Sequence, residues 1–144
     1  MPVGLLTDIG NTFSTSESQT GLIVSVYAWF VMIFSVPLMI LGTRINFRKL
    51  FLIVLFVFFV GQVLTAVAVS YWMVMGARLV VATAHCIFWA LGAPLSVRLV
   101  DQENRSLALS VFEVGAAAAL VVGMPIGRAI GLLVGWRLTF GLVA

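Results

Sequence analysis

Three ionisable side chains lie inside long apolar segments of this chain, and they are the groups best able to do chemistry there. They are Arg78, His85 and Glu113. An imidazole exchanges protons near neutral pH, and a guanidinium or a carboxylate can pair with it or with a ligand. A charged group costs about 2.5 kcal/mol or more at the centre of a bilayer, so it normally faces protein or water. These residue types therefore predict a polar cavity or a path for protons.

Along one apolar segment, Arg78, Ala82, His85, Trp89 and Ala93 fall on a single helical stripe. We interpret this stripe as the wall of a polar cavity. In the alternative interpretation, the Arg78 side chain extends outward to water, and His85 is a neutral core residue bonded to a backbone carbonyl.

Glu113 is about seven residues from the inner end of its segment, which places it about 10 Å deep in a helix. His85 should lie at a similar height on the antiparallel neighbour, so a His–Glu proton relay is one hypothesis. The alternative is a carboxylate that reaches the inner interface or pairs with Arg105.

Small residues recur every four positions along the segment that contains Glu113. They are Gly115, Ala119, Gly123, Gly127, Gly131 and Gly135, with Pro125 inside the run. We call this set the glycine stripe. Spacing of four puts the set on one side of a helix, where a second helix can approach closely. Glu113 lies about 200° away from it at 100° per residue. We therefore expect the stripe to serve helix packing, and the ionisable residues to face elsewhere.

Composition places the chain in a membrane. Of its 144 residues 62% are hydrophobic and only 9% are charged, against about 25% charged in soluble domains. The eight basic residues are scattered, so they form no surface for nucleic acid. One cysteine and one histidine cannot build a metal cluster or a hydrolytic triad, and no phosphate-binding loop is present. We expect no enzyme activity, no metal and no cofactor.

Four complete membrane spans are predicted, at about residues 17–42, 50–70, 72–97 and 106–135, as one membrane domain. Residues 1–7 and 138–144 are too short to cross, so we expect a fragment that begins inside one helix and ends inside another. Ser16 and Gln19 have capping-box spacing before the first complete span. Basic residues concentrate in 43–49 and 98–105, which the positive-inside rule makes cytoplasmic. Residues 7–20, Tyr71 and Trp136–Arg137 then form outward-facing loops and turns.

Residues 122–131, Val-Gly-Met-Pro-Ile-Gly-Arg-Ala-Ile-Gly, followed by Gly135-Trp136-Arg137, resemble a known motif. It is the antiporter motif of the fifth helix in drug and sugar exporters of the major facilitator superfamily. The resemblance is nearest to the bacterial sugar efflux group, which exports arabinose and related sugars. Further matches are Pro2-Val3-Gly4-Leu5-Leu6 with Asp8-Ile9, Tyr27-Ala28-Trp29, Arg48-Lys49-Leu50, and Ala84-His85-Cys86-Ile87-Phe88-Trp89.

This resemblance implies an all-α fold in which the chain supplies helices one (partial) to six (partial) of twelve, from the amino-terminal half. In that fold substrate binds between the two halves near the bilayer midplane. Arg78 corresponds to the basic residue of the fourth-helix motif, a position associated with proton transfer, and His85 and Trp89 lie further along a cavity-facing helix. The glycine stripe and Pro125 shape the fifth helix for close packing and switching between states.

The implied function is sugar export by proton antiport, through alternating access, in the cell inner membrane. Its implied partners are a sugar, protons, the lipid bilayer and the missing carboxy-terminal half. Two alternatives stay open. One is a multidrug exporter of the same superfamily, and the other is a small self-assembling four-helix membrane protein.

The sequence departs from the family pattern at two places. The cytoplasmic loop motif between helices two and three is shortened to Gly42, Arg44, Asn46, Arg48 and Lys49 with their neighbours. Asn46 stands where the family has an acid, which removes the side chain that would form a gating salt bridge. Glu113 stands where the family has a small or apolar residue, so no role carries over to it.

Overall fold

The computed structural model describes residues 5–144, and this part of the chain is almost entirely helical, with no strand. The helices are α1 (Leu6–Phe13), α2 (Glu17–Gly42), α3 (Phe47–Ala66), α4 (Tyr71–Arg98), α5 (Arg105–Val134) and α6 (Trp136–Val143), with a 3₁₀ turn at Gln102–Asn104. By length and composition, α2 to α5 can each cross a membrane. The predicted all-α membrane fold is therefore confirmed. The matches at Pro2, Val3 and Gly4 lie outside the described residues.

Polar side chains fix where the long helices begin. The Oγ of Ser16 accepts a hydrogen bond from the Gln19 amide at 3.2 Å, and Gln19 Oε1 accepts one from the Ser16 amide at 3.1 Å. This is the predicted capping box, and it satisfies two backbone donors that a helix start leaves without partners. Ser70 caps α4 in a similar way, since its Oγ accepts from the Met73 amide at 3.2 Å.

The structure corrects all three predicted outward-facing turns. Trp136 and Arg137 are the first residues of α6, and Gly135 precedes them as its N-cap. Residues 7–20 are not one loop, because α1 continues to Phe13 and is capped by Ser14, whose φ is 51°. The polar residues there do not stop the helix, since Thr12 Oγ1 donates to the Asp8 carbonyl one turn earlier at 2.8 Å. Tyr71 is not a turn either. It is the first residue of α4, because Ser70 is the cap.

Helix α4 is the centre of the bundle and packs along α2 and α3. Helix α6 lies against α3, while α5 contacts α4 and α6. We call the end where α2 begins the outer end, following the charge distribution of the loops. The main buried cluster lies near it and contains Leu5, Ile9, Ile23, Ala68, Val74, Trp136 and Phe140. Much of the apolar surface of α2 and α5 stays uncovered in the described structure.

Three long-range hydrogen bonds tie the helices together at the outer end. Trp136 Nε1 donates to Thr12 Oγ1 at 3.0 Å, joining α6 to α1. Arg137 Nη2 donates to the Ala68 carbonyl at 2.9 Å, and its guanidinium lies 4.8 Å from the Trp136 ring centre. The Tyr71 hydroxyl donates to the Gln19 carbonyl at 2.6 Å, joining α4 to α2. These bonds connect α1 to α6, α2 to α4, and α6 to the turn between α3 and α4, all at the outer end of the bundle.

Replacing Trp136 by phenylalanine is expected to lower the unfolding free energy by about 1 kcal/mol or more. The change removes the bond to Thr12 and shrinks a ring that is only 6% exposed. The midpoint of thermal unfolding of the purified chain in detergent measures the effect. Trp72→Phe is the control, because Trp72 is 77% exposed at the same end. Equal midpoints for the two variants would contradict the assigned contact.

Candidate functional site

A cleft of about 400 Å³ opens between α5 and α4, the helix that carries Arg78 and His85. That volume is within the range of roughly 300–1,000 Å³ found for small-molecule sites. Helices α2 to α6 all contribute to its walls. Its polar lining residues are Tyr27, Gln62, Arg78, His85, Arg128 and Thr139. The remaining described lining residues are apolar or glycine, so polar groups are few and concentrated.

Arg78 is the most deeply buried charged residue of the described chain, at 3% exposure. Its Nη2 donates to Thr65 Oγ1 at 2.8 Å and to Gln62 Oε1 at 3.2 Å, both on α3. The guanidinium carbon lies 4.5 Å from the ring centre of Phe140, a cation–π distance. These contacts hold the side chain inside the bundle. The outward extension of Arg78 that the sequence left open is therefore absent from the structure.

Thr65 supports this arrangement from behind. The side chain is fully buried, and its hydroxyl donates to the Gly61 carbonyl at 2.8 Å. Because the hydroxyl proton is used there, the oxygen is left to accept from Arg78. Arg78 Nε remains buried without a hydrogen-bond partner among the described residues.

His85 lies two turns further along α4 and lines the same cleft. The rings of Phe58 and Tyr27 flank it, with centres 5.7 Å and 5.9 Å from the imidazole centre. No bond to the buried Nδ1 from a described residue has hydrogen-bond geometry. The predicted stripe of α4 thus supplies Arg78 and His85 to one polar wall.

The glycine stripe lies across the cleft from these two residues, which corrects the expectation that the two sets face apart. Ala119, Gly123 and Gly127 line the cleft. A methyl group added at Gly123 or Gly127 would meet no atom within 4 Å. Gly131 differs, because the Leu5 side chain fills the space beside it. In this structure the middle of the stripe borders open space, and Gly131 is its packed position.

Gly115, Pro125 and Gly135 do not line the cleft. Gly115 is exposed, with no described atom near its Cα face, and Pro125 is exposed on α5. Gly135 ends α5 with φ 83° and ψ 156°, a conformation that side-chain-bearing residues strongly disfavour. Gly135 therefore allows the sharp turn into α6.

Glu113 and Trp89 do not reach the cleft, which is a second correction. Glu113 is exposed on α5. Since the glycine stripe faces the cleft, a residue about 200° away on the same helix must face outward. The His85–Glu113 pair is therefore not formed. Trp89 is 47% exposed, and its ring lies 5.9 Å from Phe112 where α4 meets α5. Its half-exposed ring lies at the edge of the contact between α4 and α5, outside the cleft.

Among the residues that the sequence did not single out are Gln62 and Tyr27, which line the cleft, and Thr65, which supports Arg78 from behind. Gln62 and Thr65 are a buried amide and a buried hydroxyl in α3, a helix with a mean hydropathy of 2.3. The sequence pattern that could have revealed them is a pair of polar residues three positions apart in an otherwise apolar helix. This spacing puts both side chains on one face of the helix. Tyr27 lay within a matching segment, but its orientation toward His85 required the packed structure.

The shortened loop motif at the inner end has structural roles. Gly42 is buried, and a methyl group there would lie 3.2 Å from Leu50 and 3.5 Å from Leu91. The Oδ1 of Asn46 accepts from the Arg48 amide at 3.2 Å and so caps α3. Arg44, Arg48 and Lys49 are exposed. In this conformation Asn46, which stands in place of the expected acid, is the N-cap of α3.

A cleft with a few polar groups between membrane-spanning helices is the kind of place where secondary transporters bind small molecules. The comparisons with known proteins specify the family. A model described as Major Facilitator Superfamily matches residues 1–144, and the chain belongs to this superfamily. It is accordingly a multi-pass protein of the inner membrane.

Curated relatives resemble the chain over its whole length. It is 40% identical over 144 residues to a probable sugar efflux transporter of Pasteurella multocida (strain Pm70), covering 100% of this chain and 36% of that protein. It is 36% identical over 143 residues to a probable sugar efflux transporter of Helicobacter pylori (strain P12), covering 99% of this chain and 37% of that protein. The chain thus spans just over a third of the length of these relatives.

Proposed function

We propose that this chain forms part of a secondary transporter that exports sugars by proton antiport. The observation that carries the proposal is the buried polar cluster of Arg78, Gln62 and Thr65 on the wall of a ligand-sized cleft. Relatives named as probable sugar efflux transporters support the substrate class. On this proposal, the protein is a transporter and not an enzyme.

The chemistry of the cleft suits a carbohydrate. Hydroxyl groups both donate and accept hydrogen bonds, and the cleft offers a guanidinium, an amide, an imidazole and a phenol. Apolar residues such as Phe58 and Phe140 supply the rest of the wall. A few placed polar groups within an apolar lining are typical of sites that orient a small molecule.

The glycine stripe supports an alternating-access movement. The open space beside Gly123 and Gly127 leaves room for α5 to approach α4, and Gly131 already contacts Leu5 near the outer end. Pro125 provides no amide for the helical ladder, so α5 is able to bend there. We infer that closure of the cleft brings the middle of the stripe against the Arg78 wall.

Transport by proteoliposomes that contain the whole transporter tests the proposal. An inward proton gradient should drive efflux of labelled arabinose or a related sugar, and the cleft variant R78Q should abolish it. A panel of apolar drugs in competition separates the multidrug alternative, which predicts displacement by drugs and not by sugars.

The 144-residue chain alone should transport nothing, because the remainder of the transporter is needed to enclose the substrate. Sugar movement by the chain alone would contradict this division of the site.

His85 and Glu113 should differ in proton coupling. Tyr27 of α2, Arg78 of α4 and Arg128 of α5 line the same cleft as His85, whereas Glu113 is outside it. We expect His85→Gln to remove the dependence of efflux on the proton gradient and Glu113→Gln to preserve it. Efflux rates measured over a series of imposed pH gradients check both. Loss of coupling in the Glu113 variant alone would overturn the assignment to His85.

A further inference from the structure

We propose that the cleft prefers an acidic carbohydrate, whose carboxylate pairs with Arg78, over a neutral sugar. This inference rests on the proposed function and narrows its substrate class. It begins from the guanidinium group of Arg78, which lies on the wall of the cleft.

The acidic residues of this chain can all be accounted for, because each lies in the described part. There are five, namely Asp8, Glu17, Asp101, Glu103 and Glu113. Asp8 and Glu17 belong to the outer ends of α1 and α2, and Asp101 and Glu103 to the inner turn between α4 and α5. Glu113 is exposed on α5. None of the five lines the cleft, so no side-chain carboxylate of this chain balances the charge of Arg78 there.

The contacts of Arg78 orient the guanidinium without neutralising it. Its hydrogen-bond partners, Gln62 and Thr65, are uncharged, and Phe140 offers only the face of a ring. A buried charge without a counter-charge is costly, and removing that cost favours any anion that reaches it.

A carboxylate fits this wall better than a hydroxyl group does. Hydrogen bonds between ionised partners are roughly twice as strong as those between neutral ones. A neutral sugar could satisfy the geometry of Arg78 but would leave its charge unbalanced. A sugar acid satisfies both, and its ring hydroxyls remain available to Gln62 and Tyr27.

Glucose and glucuronate form a matched pair of probes, because they differ only in a hydroxymethyl group and a carboxylate at one carbon. Their affinities for the whole transporter in detergent can be compared by equilibrium dialysis at one pH and ionic strength. We expect glucuronate to bind at least about tenfold more tightly than glucose, as one charge-assisted bond would produce. This comparison in the unaltered protein needs no variant.

Variants then locate the preference. Arg78→Lys should retain a preference for glucuronate, and Arg78→Gln should bring the two affinities together. Glucose that binds as well as glucuronate, or better, would overturn this inference and leave sugar export standing. Tighter binding of glucose 6-phosphate than of glucuronate would overturn the assignment of a carboxylate. Failure of all three probes and of arabinose to bind would overturn the proposed sugar substrate itself, and this inference with it.

Discussion

Replacing Gly61 by alanine is expected to destabilise the bundle by about 1–3 kcal/mol, the usual cost of overpacking a core. A methyl group at this position would lie 2.6 Å from Val81 Cγ2 and 3.1 Å from the Val81 amide nitrogen. The side chain of Val81 is β-branched and has little rotational freedom in a helix, and the amide cannot move without α4. Gly61 thus permits the close approach of α3 and α4 that the Arg78 contacts require.

Gly76→Ala is the matched control for this experiment. Gly76 is exposed on α4, and a methyl group there would meet no described atom within 4 Å. Alanine has a higher helix propensity than glycine by about 1 kcal/mol, so this variant should be unchanged or more stable. Thermal unfolding of the purified chain in detergent measures both, and we expect shifts of opposite sign. A neutral Gly61 variant would contradict the close packing of α3 on α4.

Replacing Thr65 by valine is expected to cost about 1.5–3 kcal/mol, as for hydrogen bonds to charged groups. The two side chains have nearly the same shape, so packing is preserved while the acceptor for Arg78 Nη2 is lost. The guanidinium is then held through Gln62 and the Phe140 ring. We expect a lower unfolding midpoint and, in the whole transporter, a slower efflux, because Arg78 loses the shorter of its two hydrogen bonds.

Thr83→Val separates this effect from the loss of a hydroxyl in general. Thr83 Oγ1 donates to the Leu79 carbonyl one turn earlier at 3.0 Å, just as Thr65 donates to Gly61. No arginine of the described residues donates a hydrogen bond to Thr83, and its own bond stays within α4. The Thr83 variant should therefore be close to the unaltered chain in stability and in efflux. Equal losses in the two variants would show that the Thr65–Arg78 bond contributes nothing.

The cleft shows how far reasoning from the sequence reached. The stripe that contains Arg78 and His85 was predicted as a polar wall, and both residues line the cleft. Trp89 belongs to the same stripe but lies against Phe112, because α4 and α5 meet at that level. Periodicity places residues on a face of one helix, whereas the neighbour that covers each part of this face depends on how the helices cross.

Glu113 illustrates the same limit on another helix. Depth in the membrane follows from counting residues, so the sequence could place Glu113 and His85 at similar heights. Rotation about the helix axis decides whether two such groups meet. The glycine stripe was taken as a packing surface, and the outward position of Glu113 followed only once α5 turned that stripe toward the cleft.

By itself, the sequence determined that this is a helical membrane protein of the major facilitator type, because apolar segment length, loop charge and short motifs are local properties. It also identified the buried cation and imidazole on α4. The tertiary structure alone decided that Gln62 and Thr65 hold Arg78, that the glycine stripe lines the cleft, and that Glu113 lies outside it. These relations join residues on different helices, and the rotation and crossing of each helix arise from packing along its whole length.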